Sequence, residues 1–501
     1  MKTYEWGVLR LQEAMVNGHL TARSLVHDCL ERIQRLDRAG PRLRSVIEVN
    51  PDALDAAATS DDDRRKGMCR GPLHGIPVLV KANIDTADRT ATTAGSLALS
   101  GHLAQRDAGV VDRLRQSGAI LLGKANLSEW ANFRGRRSTS GWSSLGGQTR
   151  NPHALDRSPC GSSSGSAVAV AAGLCPVAVG TETDGSIVCP AHANGIVGLK
   201  PTVGLVSRSG IIPIARSQDT AGPLGRTVED VAVLLSAMTG DDPRDPATRA
   251  AQGRGARDYS RFLDPHGADG MRVGVARPLT GTTAASEAVL DRAIQVLRRL
   301  GGRLVDPVDL SVPAALREEE FQVLLYEFKD GINRYLRTIH PCVGVRSLAR
   351  IIAFNNAHQA AVMPHFGQEA LILAQAKGPL SEAAYVASLT ACRRMARDEG
   401  IDAVLRRHRL DAIVAPSGGP AWLIDPVHGD YNISGASTLP AVAGYPHITV
   451  PAGFHSGLPM GVSFFAGAFS EPTLLRLAYA YEQATHHHRW PRFLPRAPIN
   501  V

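Results

Sequence analysis

The sequence predicts an α/β protein built on a substantially parallel sheet, and three observations lead there. Short β-branched or aliphatic runs, among them Ile76-Pro-Val-Leu-Val80 and Ala119-Ile-Leu-Leu122, read as buried strands. Segments of helical periodicity lead straight into such runs: Val110 to Gln116 passes into 119–122, and Glu287 to Leu300 passes on to Leu304. The chain has 501 residues, 44% of them hydrophobic and 20% charged, which suits a large core and excludes a disordered or collagen-like chain.

Taken in order, residues 8 to 36 read as amphipathic helices, with Leu9, Leu11 and Met15, then Leu25, Cys29, Leu30 and Ile33 at helical spacing. TSDDDRRKG, 59 to 67, reads as a polar exposed loop. The strand at 76–80 ends on Lys81. In the helix near 287–300, Leu290, Ala293, Ile294 and Leu297 mark one face, Asp291, Arg292, Arg298 and Arg299 the other, and Gly301-Gly302 stops it. Further strands are predicted at 271–276, 410–415, 447–450 and 460–465, with a closing helix from Pro472 to about Thr485. No internal repeat or low-complexity linker divides the chain.

Lys and Arg number 55 against 47 Asp and Glu, a formal charge of +8. The excess is dispersed, so no nucleic-acid partner is expected. The seven Cys are scattered and odd in number, which favours free thiols. The first twenty residues lack an unbroken apolar stretch, and the longest apolar run, Ala167 to Gly180, is too short to span a bilayer. A cytoplasmic location and no membrane partner are therefore expected. His486-His487-His488 has no acid or Cys beside it and reads as surface, so neither a metal nor another cofactor is expected.

The chemistry concentrates in SPCGSSSGSAVAVAAGLCPVAVGTETDGSIVCP, 158 to 190. Gly161-Ser-Ser-Ser-Gly165 matches the Gly-x-Ser-x-Gly nucleophile elbow, which nominates Ser163, but an elbow needs a strand before it and NPHALDRSPC is loop-like. A phosphate-cradling loop would need the Gly-Lys-Ser/Thr ending or dinucleotide Gly spacing that this stretch lacks. The third reading takes both halves together. Cys160 to Ser166, the Ala-rich helix 167–172, Gly180 to Ile187 and Gly198-Leu-Lys-Pro-Thr202 resemble the amidase signature family, as do HGIPVLVKANIDT (74–86), GAILLGKANLSEW (118–130), SQDTAGPLGRTVEDVA (217–232) and PAVAGYPHITVPAG (440–453).

This resemblance implies one domain over 1–501: N-terminal helices over 1–60, a core of about 65–225 and 405–490, a variable helical region between, and a central mixed sheet covered by helices on both faces. It also implies an amide hydrolase with Ser186 as the acylated nucleophile, Ser162 as a bridging serine in a cis peptide bond, and Lys81 as the terminal base. A serine hydroxyl needs a proton acceptor within hydrogen-bond reach. A Lys accepts only when neutral, and ending an apolar strand disfavours its charge. Backbone N–H groups of Thr183, Asp184, Gly185 and Ser186 would hold the oxyanion, with Ser163 and Thr181 hydrogen-bonding around the triad. Two positions depart from the family pattern: Asp184 stands where Gly is common, and Ser164 replaces a Gly of the first motif. Asp184 is expected to point away from the oxyanion, towards a substrate cation or a neighbouring donor. TETDGSIVCP, SPCGSSSGS and SGWSSLGGQTRNP (140–152) look most like the peptide amidase branch, which implies a peptide or small-molecule amide as substrate and a monomer or homodimer. Tyr326, Phe354 and Phe366 read as core rather than substrate wall.

Overall fold

The computed structural model describes residues 2–281, 283–340, 343–431 and 435–498. Its strands are β1 (Val46–Val49), β2 (Pro77–Lys81), β3 (Ile120–Ala125), β4 (Trp142–Ser143), β5 (Gly147–Gln148), β6 (Val177–Glu182), β7 (Val197–Lys200), β8 (Thr220–Gly225), β9 (Arg272–Val275), β10 (Arg303–Val305), β11 (Ala412–Pro416), β12 (His447–His455) and β13 (Leu458–Phe465). All but β4 and β5, which pair with each other, form one sheet in the order β1-β3-β2-β6-β8-β7-β12-β13-β11-β9-β10. Parallel pairs occupy both flanks, β3-β2-β6 on one side and β11-β9-β10 on the other. The centre, from β6 through β8, β7, β12 and β13 to β11, is antiparallel. The result is the mixed sheet of a single α/β domain.

Every residue of β2, β3, β6, β7, β8, β11 and β13 is buried. Because successive side chains point to opposite faces, burial at every position means that both faces are covered. The amphipathic segments read from sequence supply part of that cover. In the helix Ala284–Arg299, Leu290, Ala293, Ile294 and Leu297 are buried, Thr283 accepts from the Ser286 N–H at the start, and Gly301 follows with φ of +85°. A separate apolar cluster, with Trp130, Phe133, Phe328, Leu348 and Leu371, lies beneath the helices Ala314–Thr338, Leu348–Ala357 and Glu369–Gln375. Beside it Arg134 is fully buried, donates to Glu129 Oε1 at 2.9 Å and to the Val362 carbonyl, and stacks 4.9 Å from the Phe366 ring centre.

Three sequence expectations are corrected. The predicted loop 59–67 is helix over most of its length, the last turns of Ala53–Arg65. Tertiary partners hold it despite its polar composition: Asp61 accepts from the backbone N–H of Ala22 at 2.7 Å and Arg23 at 3.0 Å, and Arg64 donates to the His74 carbonyl. Leu9 is 38% exposed, since the helix Val8–Val16 turns Val8, Leu11 and Met15 inward. The cysteines are not all free: Cys160 and Cys189 form a disulfide with Cα atoms 5.9 Å apart. Cys29, Cys175 and Cys392 are buried thiols and Cys69 an exposed one, while Cys342 lies outside the described residues. The bridge removes one of the two grounds for expecting a cytoplasmic chain. Among the described residues no helix is long and apolar enough to cross a membrane.

Candidate active site

The sheet order makes β2 and β6 parallel neighbours although about a hundred residues separate them, and both end at the same edge. The apolar run Val78, Leu79, Val80 carries Lys81 into an environment with no solvent exposure. Its Nζ lies 2.8 Å from Ser162 Oγ, 2.9 Å from Thr181 Oγ1, 3.1 Å from Ser163 Oγ and 3.1 Å from the Thr181 carbonyl oxygen. A neutral amine has two hydrogens and a lone pair, so in such a cage it accepts from a hydroxyl as readily as it donates. Burial pushes the Lys81 amine from its ordinary value near 10.5 down to about 7, against the opposing pull of Glu182 and Asp219.

Ser162 and Ser163 are fully buried, and the Gly161–Ser162 peptide bond is cis. A β-carbon at Gly161 would fall 2.2 Å from Ser128 Oγ, so only glycine fits there. Ser163 donates to the Thr181 carbonyl at 3.0 Å and accepts from the Thr181 N–H at 3.2 Å. Residues 158–163 precede the helix Ser164–Ala171 without a strand, so the elbow reading of Ser163 has no structural basis. Ser164 donates to the Cys160 carbonyl at 2.6 Å, which accounts for a hydroxyl where the family pattern has Gly.

Ser186 sits at the end of the turn that follows β6. It is 8% exposed, whereas Ser162 and Ser163 have no exposure. Its carbonyl accepts from the Ser163 N–H at 3.1 Å. Among the described residues its hydroxyl makes no hydrogen bond, so the structure joins Lys81 to Ser162 but does not join Ser162 to Ser186 through their hydroxyls. Nor do the backbone N–H groups of Thr183, Asp184, Gly185 and Ser186 donate to any described residue, which leaves four unengaged donors in the turn that carries Ser186.

The positive φ of this turn falls on Gly185, at +80°, and not on Asp184, so the acid at 184 costs no backbone strain. Asp184 Oδ2 accepts from Thr438 Oγ1 at 2.8 Å, a neighbouring donor of the kind anticipated, while its Oδ1 is buried without a partner among the described residues. Thr183 Oγ1 donates to Asp219 Oδ1 at 2.6 Å, and Asp219 Oδ2 accepts from the N–H groups of Ile214 and Ala215. Gln218 links the Thr183 carbonyl, at 3.3 Å, to Glu320 Oε1, at 2.8 Å. Burial, then the nearby Asp184, pushes the Glu320 carboxyl well above the usual range.

A cavity of about 840 Å³ reaches the turn, with Asn83, Thr181, Thr183 and Asp219 in its wall. A second, of about 800 Å³, has Ala421 and Trp422 in its wall, residues that pack with Cys160 and Cys189. Among the described residues the one close trio of potential metal ligands is His27, Asp28 and Glu31, on the helix Ala22–Arg32, with no part in this cluster. Tyr326 and Phe366 are buried and Phe354 is partly buried.

Sequence reading did not find Asn83, whose Nδ2 donates to Thr181 Oγ1 at 3.0 Å, nor Glu182, Asp219, Gln218, Glu320 or Thr438. Asn83, Glu182, Asp219 and Gln218 all lie in stretches already matched to the family, so their place beside the candidate triad residues was the available signal.

A family model described as Amidase matches residues 25–475. A probable amidase of Arabidopsis thaliana is 42% identical over 97% of this chain and 91% of its own length. A glutamyl-tRNA(Gln) amidotransferase subunit of Halorhodospira halophila is 36% identical over 96% and 98%. The crystal structure of the native peptide amidase from Stenotrophomonas maltophilia superposes with a TM-score of 0.94 at 53% identity, covering 98% of this chain and 99% of that one. A peptide amidase structure in complex with the competitive inhibitor chymostatin gives a TM-score of 0.95, also at 53% identity, over 98% and 100%. The chain belongs to the amidase signature family. It is an amide-hydrolysing enzyme, structurally close to peptide amidase.

Proposed function

We propose that this enzyme releases ammonia from the C-terminal carboxamide of peptides or amino-acid amides, with Ser186 as nucleophile, Ser162 as proton relay and Lys81 as base. The observation that carries the reading is the contact of 2.8 Å between a fully buried Lys81 and Ser162, whose neighbour Ser163 donates its N–H to the Ser186 carbonyl at 3.1 Å. In the first half-reaction Ser186 Oγ bonds to the amide carbon, its proton passes to Ser162, and the Ser162 proton passes to neutral Lys81. The carbonyl oxygen becomes an oxyanion facing the free N–H groups of residues 183–186. Return of the proton to the amide nitrogen through Ser162 breaks the C–N bond, releases ammonia and leaves an ester on Ser186. Water then attacks the ester by the same proton route and yields the carboxylic acid.

The peptide substrate class is supported by the 53% identity to peptide amidase structures, against 36% to the amidotransferase chain. That second relative, matched over nearly its whole length, favours a second reading, a component of an amidotransferase. We also propose that the whole chain acts as one domain, alone or as a homodimer, with specificity carried by about 225–405 and with no nucleic acid, membrane or cofactor. The purified chain should release ammonia from peptide amides without tRNA, ATP or a partner, and chelators should not affect it. Ser186→Ala should abolish turnover and labelling by a fluorophosphonate. Activity only with a partner and tRNA would establish the second reading, and labelling that survives Ser186→Ala would move the nucleophile elsewhere.

A further inference from the structure

We infer that Glu182 is a positioning residue that clamps the nucleophile turn and so holds its backbone N–H groups in place. The inference rests on the triad reading above. Glu182 is the last residue of β6 and is 1% exposed. Its Oε2 reaches past the four residues of the turn and accepts from the N–H of Ile187 at 2.7 Å and of Val188 at 3.0 Å. These are opening donors of the helix Val188–Ala193, which have no partner within the helix. One carboxylate oxygen therefore ties the end of the strand to the start of the helix, and Thr183, Asp184, Gly185 and Ser186 form the loop between.

The clamp adds to two others. Thr183 is tied to Asp219, and the Ser186 carbonyl is tied to the Ser163 N–H. Each end of the turn is thus fixed, while the four N–H groups within it stay unengaged. Oxyanion donors need that combination, because an ordered turn with free N–H groups requires no rearrangement when charge develops.

Burial raises the Glu182 carboxyl, while Lys200 and the N–H groups of Ile187 and Val188 favour its charged form, the form that accepts both hydrogen bonds. Its Oε1 is buried and has no hydrogen-bond partner among the described residues.

The test compares Glu182→Gln and Glu182→Ala with the wild type by kcat and KM for a peptide amide, with melting temperature as the check on folding. Glu182→Ala should lower kcat by about a hundredfold with KM changed by less than about threefold, because the donors, not the substrate pocket, are disordered. Gln keeps an oxygen for both N–H groups, so Glu182→Gln should hold kcat within about tenfold of wild type. Wild-type kcat in Glu182→Ala overturns the clamp, and so does a folded Glu182→Gln enzyme no faster than Glu182→Ala. Should Glu182→Ala not fold, a folded Glu182→Gln enzyme with kcat more than about a hundredfold below wild type overturns the clamp. Loss of turnover in Ser186→Ala alongside unchanged Glu182 variants sinks this inference only, whereas retained turnover in Ser186→Ala sinks the triad reading and this inference with it.

Discussion

The buried amine of Lys81 sets a measurable pH dependence. With a pKa of about 7, half of it is neutral at pH 7, about a tenth at pH 6 and about a hundredth at pH 5. An exposed Lys with its ordinary value near 10.5 would be neutral in only about one molecule in three thousand at pH 7. Burial at the end of β2 therefore raises the neutral fraction of this amine more than about a thousandfold. If neutral Lys81 takes the proton from Ser162, kcat/KM should fall tenfold per unit below pH 7, level off above about pH 8 and stay level to pH 9. Ammonia release from an uncharged peptide amide between pH 5 and 10 measures this, because kcat/KM reports the ionisations of the free enzyme. Lys81→Met should be inactive across the range. A rate that is flat from pH 5 to 9, or that climbs without a plateau to pH 10, would refute the reasoning, as would a Lys81→Met enzyme with wild-type turnover at pH 7.

The same amine affects stability. Lys81 holds its proton less tightly folded (about 7) than unfolded (near 10.5), so between these values the unfolded chain carries more protons and stability rises with pH; wild type should gain about 2 kcal/mol relative to Lys81→Met between pH 7 and 9, read as a pH-dependent difference in melting temperature. Arg134→Leu leaves Glu129 as a buried charge without its partner and should cost about 3–5 kcal/mol, seen as a large drop in melting temperature. Ser163→Ala removes a hydrogen bond to Lys81 but not the proposed nucleophile Ser186, so fluorophosphonate labelling should persist while turnover falls about tenfold; lost labelling would return Ser163 to candidacy.

What was legible in the sequence was local. The strand that ends on Lys81, the helix 284–299 and the closing helix declared themselves by periodicity and by their stops, because those signals depend on neighbours in the chain. The placement of Ser162, Ser186 and Lys81 came from matched motifs, and nothing in periodicity alone would have brought them together. Partners distant in sequence were not legible. Asn83 reaches Thr181 and Gln218 reaches Glu320 only because the strand order folds those segments together. The antiparallel centre of the sheet was hidden for the same reason, since helix-to-strand alternation marks only its flanks. The helix through TSDDDRR was missed because its own pattern is polar, and Asp61 and Arg64 are satisfied by other segments. An odd cysteine count gave no hint that two of the seven pair.

The Cys160–Cys189 bridge closes a covalent ring that contains both Ser162 and Ser186. The chain from Ser158 to Lys200 has no Lys or Arg before its last residue. Trypsin therefore returns both serines, the whole ring and Ser163 in one fragment, and the mass of a tagged tryptic peptide cannot tell one hydroxyl from another. Reduction followed by cleavage at the acidic residues Glu182 or Asp184 would part Ser162 and Ser163 from Ser186, so a protease of that specificity is the reagent that reads out which serine carries a covalent tag.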